Sequence, residues 1–218
     1  MTTLLYLIMQ ECRLTYRELS DWLHPMTLFC MMLIVFPIAF ATYDSSMVPG
    51  YFWVAALFAN LLSIQHFFLN DLQDGFLTQS MLTCVSLTMQ IMAKCIAHCL
   101  MHIMPIILLS LLMAPLFHLT FAESIMLGLS LLLGMPIVTC ISIFCAALTS
   151  GLRQQGVIMG VLIFPLIVPV IIFAVNMVNQ YSSGMNIIGP IAFLAGLLVL
   201  TFTVLPMTIS AVLRLAVS

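Results

Sequence analysis

Long apolar runs separated by short polar segments make up most of this chain. Each of six runs reaches the ~20 residues that an apolar helix needs to cross a bilayer. The segments between them contain charged or turn-forming residues, which are typical of the ends of membrane helices. The pattern therefore predicts six transmembrane helices, near residues 22–41, 51–69, 91–117, 125–149, 156–175 and 187–212.

The N-terminal segment, residues 1–21, carries apolar and charged side chains on opposite sides of a predicted helix. Leu4 and Ile8 fall on one face, whereas Arg13 and Arg17 fall on the other. Such a stripe is typical of an amphipathic helix that lies along the membrane surface. A frayed cytosolic tail is the alternative, and the regular spacing of the stripe favours the interfacial helix.

The composition agrees with a membrane protein and excludes one class of partner. The 218 residues are 64% hydrophobic and 6% charged, with a mean hydropathy of +1.26, whereas soluble proteins average about half apolar and a quarter charged residues. The predicted fold class is an all-α integral membrane protein, with an N-terminal interfacial helix, six transmembrane helices and a single membrane domain over residues 1–218. Five basic residues are too few for a nucleic-acid surface, so no nucleic-acid partner is expected.

The basic residues predict the orientation of the chain in the membrane. Loops on the cytoplasmic side of a membrane protein are enriched in Lys and Arg. The six predicted spans put all five basic residues on one side, and these are Arg13, Arg17, Lys94, Arg153 and Arg214. Both termini are therefore predicted to be cytoplasmic, as is the acidic segment 70–75 between the second and third spans.

No motor for active transport is visible in the sequence. A nucleotide-binding P-loop has Gly immediately before its Lys, but the only lysine, Lys94, follows Ala93. A proton-driven carrier usually has acids within its spans, and all seven acids map to surface segments or loops. Unless His66, His98 or His102 relays protons, the energy must come from a partner, or the protein is passive. No Ser-His-acid or Cys-His constellation indicates an enzyme.

The acidic segment is the candidate for contact with a separate ATPase. Leu69, Leu72 and Phe76 form a short apolar stripe at helical spacing, and a partner groove could hold such a helix. A solvated turn is supported equally well, because Asp-Gly is typical of turns, and divalent metal binding by two carboxylates is a weaker third interpretation. The candidate coupling residues are Asp71, Leu72, Gln73, Asp74, Gly75 and Phe76.

Two histidines in the third predicted span are a separate candidate site. His98 and His102 lie one helical turn apart, with Cys95 and Cys99 beside them. This spacing suits a transition metal or a haem iron. The alternative, which the absence of a nearby acid to orient the rings favours, is a buried pair that hydrogen-bonds a neighbouring helix.

Several fragments together resemble a known family. Residues 49–57 read PGYFWVAAL and residues 71–75 read DLQDG; shorter matches follow, in order and spacing, at 93–98, 133–136, 151–153 and 165–173. They resemble the CcmB family, the permeases of the haem-exporter complex of cytochrome c maturation. The resemblance covers nearly the whole chain, and DLQDG is its most specific part.

The resemblance implies a six-span, ABC-2 type permease of the bacterial inner membrane. It implies a separate ATPase subunit that uses ATP, a haem-handling membrane subunit, a small membrane subunit and a periplasmic haem chaperone. A second copy of the chain is a further candidate partner. Haem is then expected as substrate, with no bound cofactor, or the chain transmits ATP-driven motion that releases the haem-loaded chaperone. The loop at 70–81 is the expected coupling element.

The chain departs from the family pattern beside that element. The family tends to carry Glu, Arg, Arg and Asp before the DLQDG run, where this chain has Gln65, His66, Leu69 and Asn70. Gln154 replaces a common second basic residue after Arg153. We therefore expect docking on the ATPase to depend less on charge, and more on apolar contacts from Leu72 and Phe76.

Two other functions are compatible with the pattern. The first is an ABC-2 permease for another amphipathic substrate, such as a lipid or polyketide. The second is a membrane scaffold that transports nothing. Loss of c-type cytochromes without a change in envelope lipids would separate haem export from the first, and stimulation of an ATPase would argue against the second.

Overall fold

The computed structural model describes residues 2–17, 19–39, 44–64, 87–149 and 155–217. Within these ranges the chain is helical apart from short connections, and they contain no strand, which confirms the all-α prediction for this part of the protein. The helices are α1 (Thr2–Arg17), α2 (Leu19–Ala39), α3 (Val48–Ile64), α4 (Leu87–His98), α5 (Met104–Met113), α6 (Phe121–Thr149), α7 (Gln155–Ser182) and α8 (Ile188–Val217).

Five helical stretches are long and apolar enough to cross a membrane. They are Ser45–Ile64, Thr88–Phe117, Phe121–Thr149, Ile158–Ser182 and Ile188–Val212, and each overlaps one predicted span. The first predicted span, 22–41, overlaps α2, of which Leu23–Ala39 is an apolar stretch. The 21 residues of α2 measure about 31 Å, close to the thickness of the hydrocarbon core. The predicted end of the second span, at residue 69, lies outside the described residues.

The amphipathic N-terminal helix is present as α1, but it is shorter than the predicted range 1–21. It ends at Arg17, and α2 begins at Leu19. Helix α1 packs along α4, while Leu5, Tyr6 and Met9 face away from the bundle. Its location at a membrane surface stays a prediction.

Pro105 explains why the stretch Thr88–Phe117 is not a regular α-helix. Proline has no N–H, and its ring collides with the carbonyl group four residues earlier in an α-helix. Immediately before it, Cys99–Ile103 forms a π-helical turn in which the Met104 N–H donates to the Cys99 carbonyl, five residues back. The wider turn accommodates the proline, so the helix continues into α5 instead of ending.

Hydrogen bonds between helices establish their relative directions. Asn179 near the end of α7 donates to the Ser46 carbonyl just before α3, at 3.1 Å. Thr88 at the start of α4 donates to Ser210 near the end of α8, also at 3.1 Å. We call these two ends of the bundle the Ser46 end and the Thr88 end.

Helices α3 and α6 run parallel. The two side-chain hydrogen bonds that join them have sequence separations of 77 and 79 residues, so equivalent levels of the two helices face each other. Because α3 begins at the Ser46 end, α3 and α6 both end towards the Thr88 end. The stretch Thr88–Phe117 lies between α3 and α6 in the sequence and therefore crosses the bundle once, despite its π-helical turn.

Helix α6 forms the centre of the bundle. It packs against α3, α5, α7 and α8, and most of its side chains are buried, whereas α7 and α8 expose broad apolar faces. The outer face of the α4–α5 stretch carries exposed apolar side chains at every fourth position, namely Leu100, Met104, Leu108, Leu112 and Leu116. Such faces suit contact with lipid chains.

Candidate functional site

A tryptophan on α3 is locked onto the central helix. The Trp53 Nε1–H donates to Ser130 Oγ at 3.1 Å, and Ser130 in turn donates to the Leu127 carbonyl at 2.8 Å. The indole ring lies over Gly134, where an added Cβ atom would be 2.3 Å from the tip of the ring, Cη2. The ring is completely buried, so only glycine at 134 leaves room for it.

A buried amide forms the second link between α3 and α6. Thr139 Oγ1 donates to Asn60 Oδ1 at 2.8 Å, and both side chains are almost fully buried. Among the described residues, none is a hydrogen-bond partner of Asn60 Nδ2. An unpaired buried donor costs about 1–3 kcal/mol.

A serine on α3 contacts the histidine pair. Ser63 Oγ lies 3.0 Å from His98 Nε2 and also donates to the Asn60 carbonyl at 2.9 Å. Because a hydroxyl has only one proton, the consistent arrangement has His98 Nε2–H donating to Ser63. The rings of His98 and His102 stack, with centroids 4.3 Å apart and planes 22° apart, and both are buried. His102 belongs to the π-helical turn.

Asn60, Thr139, Ser63, His98 and His102 form a polar cluster. Its described contacts are hydrogen bonds and the stacking of the two histidine rings. In the described part of the chain, no group of three or more His, Cys, Asp or Glu residues is arranged to hold a metal ion. His98 makes the contact with a neighbouring helix that the alternative interpretation of the pair describes. Metal or haem ligation by His98 and His102 stays a prediction.

The Ser46 end carries a separate, exposed set of polar groups. The Thr120 N–H and hydroxyl donate to Glu123 Oε2, both at 2.8 Å, and the Glu123 N–H donates to Thr120 Oγ1 at 3.3 Å, a reciprocal cap for α6. Ser46 donates to the Asp44 carboxylate at 2.9 Å. The hydrogen bonds from the Ser46 hydroxyl and backbone lower the pKa of Asp44, which therefore stays charged at neutral pH.

The six candidate coupling residues lie outside the described ranges. These are Asp71, Leu72, Gln73, Asp74, Gly75 and Phe76. In the sequence they fall between α3, which ends at Ile64, and α4, which begins at Leu87. Asn60 and Ser63 thus lie in the last two turns before the undescribed segment 65–86.

Sequence reasoning did not identify Asn60, Ser63, Ser130 or Thr139 as functional candidates. One signal was available, because Asn60 is an amide within a predicted membrane span, where polar side chains are costly and usually have a role. Trp53 and Gly134 did occur in the fragments that carry the family resemblance. The structure brings those two distant fragments into direct contact.

The fold defines a class of protein before any comparison is made: a multi-pass, all-α membrane protein built around a central helix. Comparison with known proteins then gives the family. The family model described as "CcmB protein" matches residues 2–216, and the chain belongs to this family.

Curated relatives match over almost their full length. Heme exporter protein B of Haemophilus influenzae is 37% identical over 217 residues, which are 97% of each chain. The protein of the same name from Pseudomonas aeruginosa is 34% identical over 214 residues, 97% of this chain and 96% of the relative. That from Escherichia coli K12 is 33% identical over 210 residues, 95% and 96% of the two chains.

Proposed function

We propose that this chain is the membrane permease subunit of an ATP-driven complex that exports haem for cytochrome c biogenesis. The observation that carries the proposal is its similarity, over nearly the whole length, to proteins named heme exporter protein B. The chain is a transport subunit and not an enzyme. Haem is its substrate, and ATP is hydrolysed on a separate chain.

The proposed location is the bacterial inner membrane, crossed six times with both termini in the cytoplasm. The support for the sixth crossing comes from α2. Phe36 near its end stacks on Tyr51 near the start of α3, with ring centroids 4.7 Å apart, so α2 approaches the Ser46 end as α3 leaves it. Helix α1, which precedes α2 in the chain, packs along α4, the part of the third crossing nearer the Thr88 end. These two contacts support a crossing of the hydrocarbon core by α2.

The proposed partners follow from the same family relationship. They are a separate ABC ATPase subunit, a haem-handling membrane subunit, a small membrane subunit and a periplasmic haem chaperone. A second copy of the chain could cover the broad apolar faces of α7 and α8. The ATPase docks on the segment that includes Asp71 and Phe76, which follows α3 at the Thr88 end of the bundle.

The direct test is purification of the complex from cells that express this chain with its cognate ATPase. We expect the ATPase to co-purify and its ATP hydrolysis to depend on the presence of this chain. We further expect release of the haem-loaded chaperone in the presence of ATP but not of a non-hydrolysable analogue. Export of a labelled lipid by the reconstituted complex, without any effect on haem or on the chaperone, would contradict the proposal.

A further inference from the structure

The end of α3 is joined by side-chain hydrogen bonds to two helices at the same level. Asn60 bonds to Thr139 on α6 at 2.8 Å, and Ser63 bonds to His98 on α4 at 3.0 Å. Thr139 and His98 each lie about 15 Å from the terminus of their helix at the Thr88 end. The four residues thus form one polar layer, within two turns of the place where α3 ends.

We propose that Asn60, Ser63, His98 and Thr139 form a polar clamp that transmits a displacement of the end of α3, at Ile64, into α4 and α6. The inference rests on the proposed function, because ATP hydrolysis on the partner subunit supplies the energy for that displacement. The four side chains are positioning residues: they hold helices in register and contact neither ATP nor haem.

Trp53 provides the fixed point against which α3 moves. Its ring fills the space over Gly134 and its N–H is bonded to Ser130, so the helices cannot shift there without a clash or a lost bond. Asn60 lies about 10 Å further along α3. A displacement of Ile64 therefore also moves Asn60 and Ser63, whereas Trp53 stays in place.

The clamp joins α3 to the irregular part of the third crossing. His98 is the last residue of α4, and the π-helical turn begins at Cys99. A π-helical turn is a local irregularity in the helical hydrogen-bond ladder and is common at functional sites. Movement of Ser63 therefore acts on a point of the helix where a small change of register disturbs few regular bonds.

The unpaired amide of Asn60 allows the clamp two arrangements. Thr139 donates to Asn60 Oδ1, and within the described ranges Nδ2 has no hydrogen-bond partner. The Thr139 hydroxyl can also accept a hydrogen bond, so rotation or displacement of the amide lets Nδ2 donate to Thr139 instead. The hydrogen bond between Asn60 and Thr139 is therefore kept when α3 is displaced. A contact between apolar side chains, or an amide whose two groups are both paired, would not provide such a second arrangement.

The test compares Thr139→Val, Thr139→Ser and Ser142→Ala in the complete complex. Valine keeps the shape of threonine and removes its hydroxyl, whereas serine retains the hydroxyl. Ser142 is the matched control, since it is buried on the same helix and its hydroxyl has no hydrogen-bond partner among the residues that the structure describes. The readouts are ATPase co-purification, ATP hydrolysis, and covalent haem formed in c-type cytochromes.

We expect Thr139→Val to bind the ATPase and to hydrolyse ATP, but to form roughly tenfold less covalent haem per ATP hydrolysed. Thr139→Ser should restore the ratio to within about twofold of the unmodified chain, and Ser142→Ala should not change it. An unchanged ratio in Thr139→Val would overturn the clamp. If that variant fails to assemble, Ser63→Ala is measured instead, and an unchanged ratio there has the same meaning.

These outcomes are distinct from a failure of the proposed function. If the unmodified complex supports neither ATPase binding nor covalent haem formation, the proposed function is wrong. If the unmodified complex does both and Thr139→Val does so with equal efficiency, only the clamp is wrong. A loss in Thr139→Val that Thr139→Ser does not restore would also contradict the clamp, since the hydroxyl would not be its cause.

Discussion

The ring of Trp53 on α3 occupies the space that any side chain at position 134 of α6 would need. A Cβ atom built on Gly134 lies 2.3 Å from Cη2 and 2.9 Å from Cζ2 of the indole ring. Helices α3 and α6 are parallel, and the stretch Thr88–Phe117 crosses the bundle between them in the sequence. The contact of Trp53 with Gly134 brings these two helices close together.

Gly134→Ala should destabilise the protein because neither the buried ring nor the helix backbone can retreat freely. Overpacking of this kind costs about 1–3 kcal/mol, and thermal unfolding of the detergent-purified protein measures it. Gly50→Ala is the matched control on α3, since a Cβ there meets no atom within 4 Å and alanine favours helix. Equal thermal stability of the two variants would contradict the close contact.

The hydrogen bond from Trp53 to Ser130 should appear as a coupling between two substitutions. Trp53→Phe removes the donor, Ser130→Ala removes the acceptor, and the double variant removes both. Since the second substitution has no bond left to break, we expect the double variant to be less destabilised than the sum of the single variants, by about 0.5–1.5 kcal/mol. Additive free energies of unfolding would show that the bond contributes nothing.

The orientation of α2 can be tested by labelling single cysteines from outside the cell membrane. Arg13→Cys and Asp44→Cys, each in a chain whose native cysteines are replaced by alanine, place a thiol before and after α2. Both side chains are exposed. In spheroplasts we expect an impermeant maleimide to label Asp44→Cys, and to label Arg13→Cys only after permeabilisation.

Labelling of both positions from the same side would mean that α2 does not cross the membrane. The bundle would then have five crossings, one for each of the five long apolar stretches in the described residues. Labelling of Arg13→Cys but not Asp44→Cys in spheroplasts would place the N-terminus outside. Either result would contradict the proposed topology.

The acidic segment should bind the ATPase by both charge and apolar contact. We expect Asp71→Lys and Asp74→Lys to weaken ATPase co-purification, and Leu72→Ala or Phe76→Ala to weaken it at least as strongly. Asp44→Lys is the control, because it reverses the charge of an acid that is exposed at the Ser46 end, away from the end of α3 that precedes the acidic segment. Undiminished binding by all four test variants would place the docking site elsewhere.

The sequence predicted the membrane helices well because the signal is simple. A bilayer requires long apolar helices, and each of the five long helical stretches overlaps a predicted span. The predicted range 1–21 spans α1 and the start of α2, since an amphipathic stripe does not show where one helix stops and another begins. The π-helical turn at Cys99–Ile103 was not predicted, although Pro105 marks its cause.

The buried polar cluster was harder to predict, because its contacts depend on the register between distant helices. Asn60 and Thr139 are separated by 79 residues, and neither forms a motif with its sequence neighbours. The spacing of His98 and His102 indicated a pair on one face of a helix, and the structure shows their rings stacked. Only the fold adds Ser63 to that pair.

The most direct test of the central claim measures covalently bound haem in c-type cytochromes after deletion of the gene for this chain. The account predicts that haem-stained c-type cytochromes are lost, that b-type cytochromes and envelope lipids are unchanged, and that a plasmid copy of the chain restores the c-type cytochromes. A deletion strain that retains normal amounts of c-type cytochromes, or that loses an envelope lipid instead, would contradict the claim.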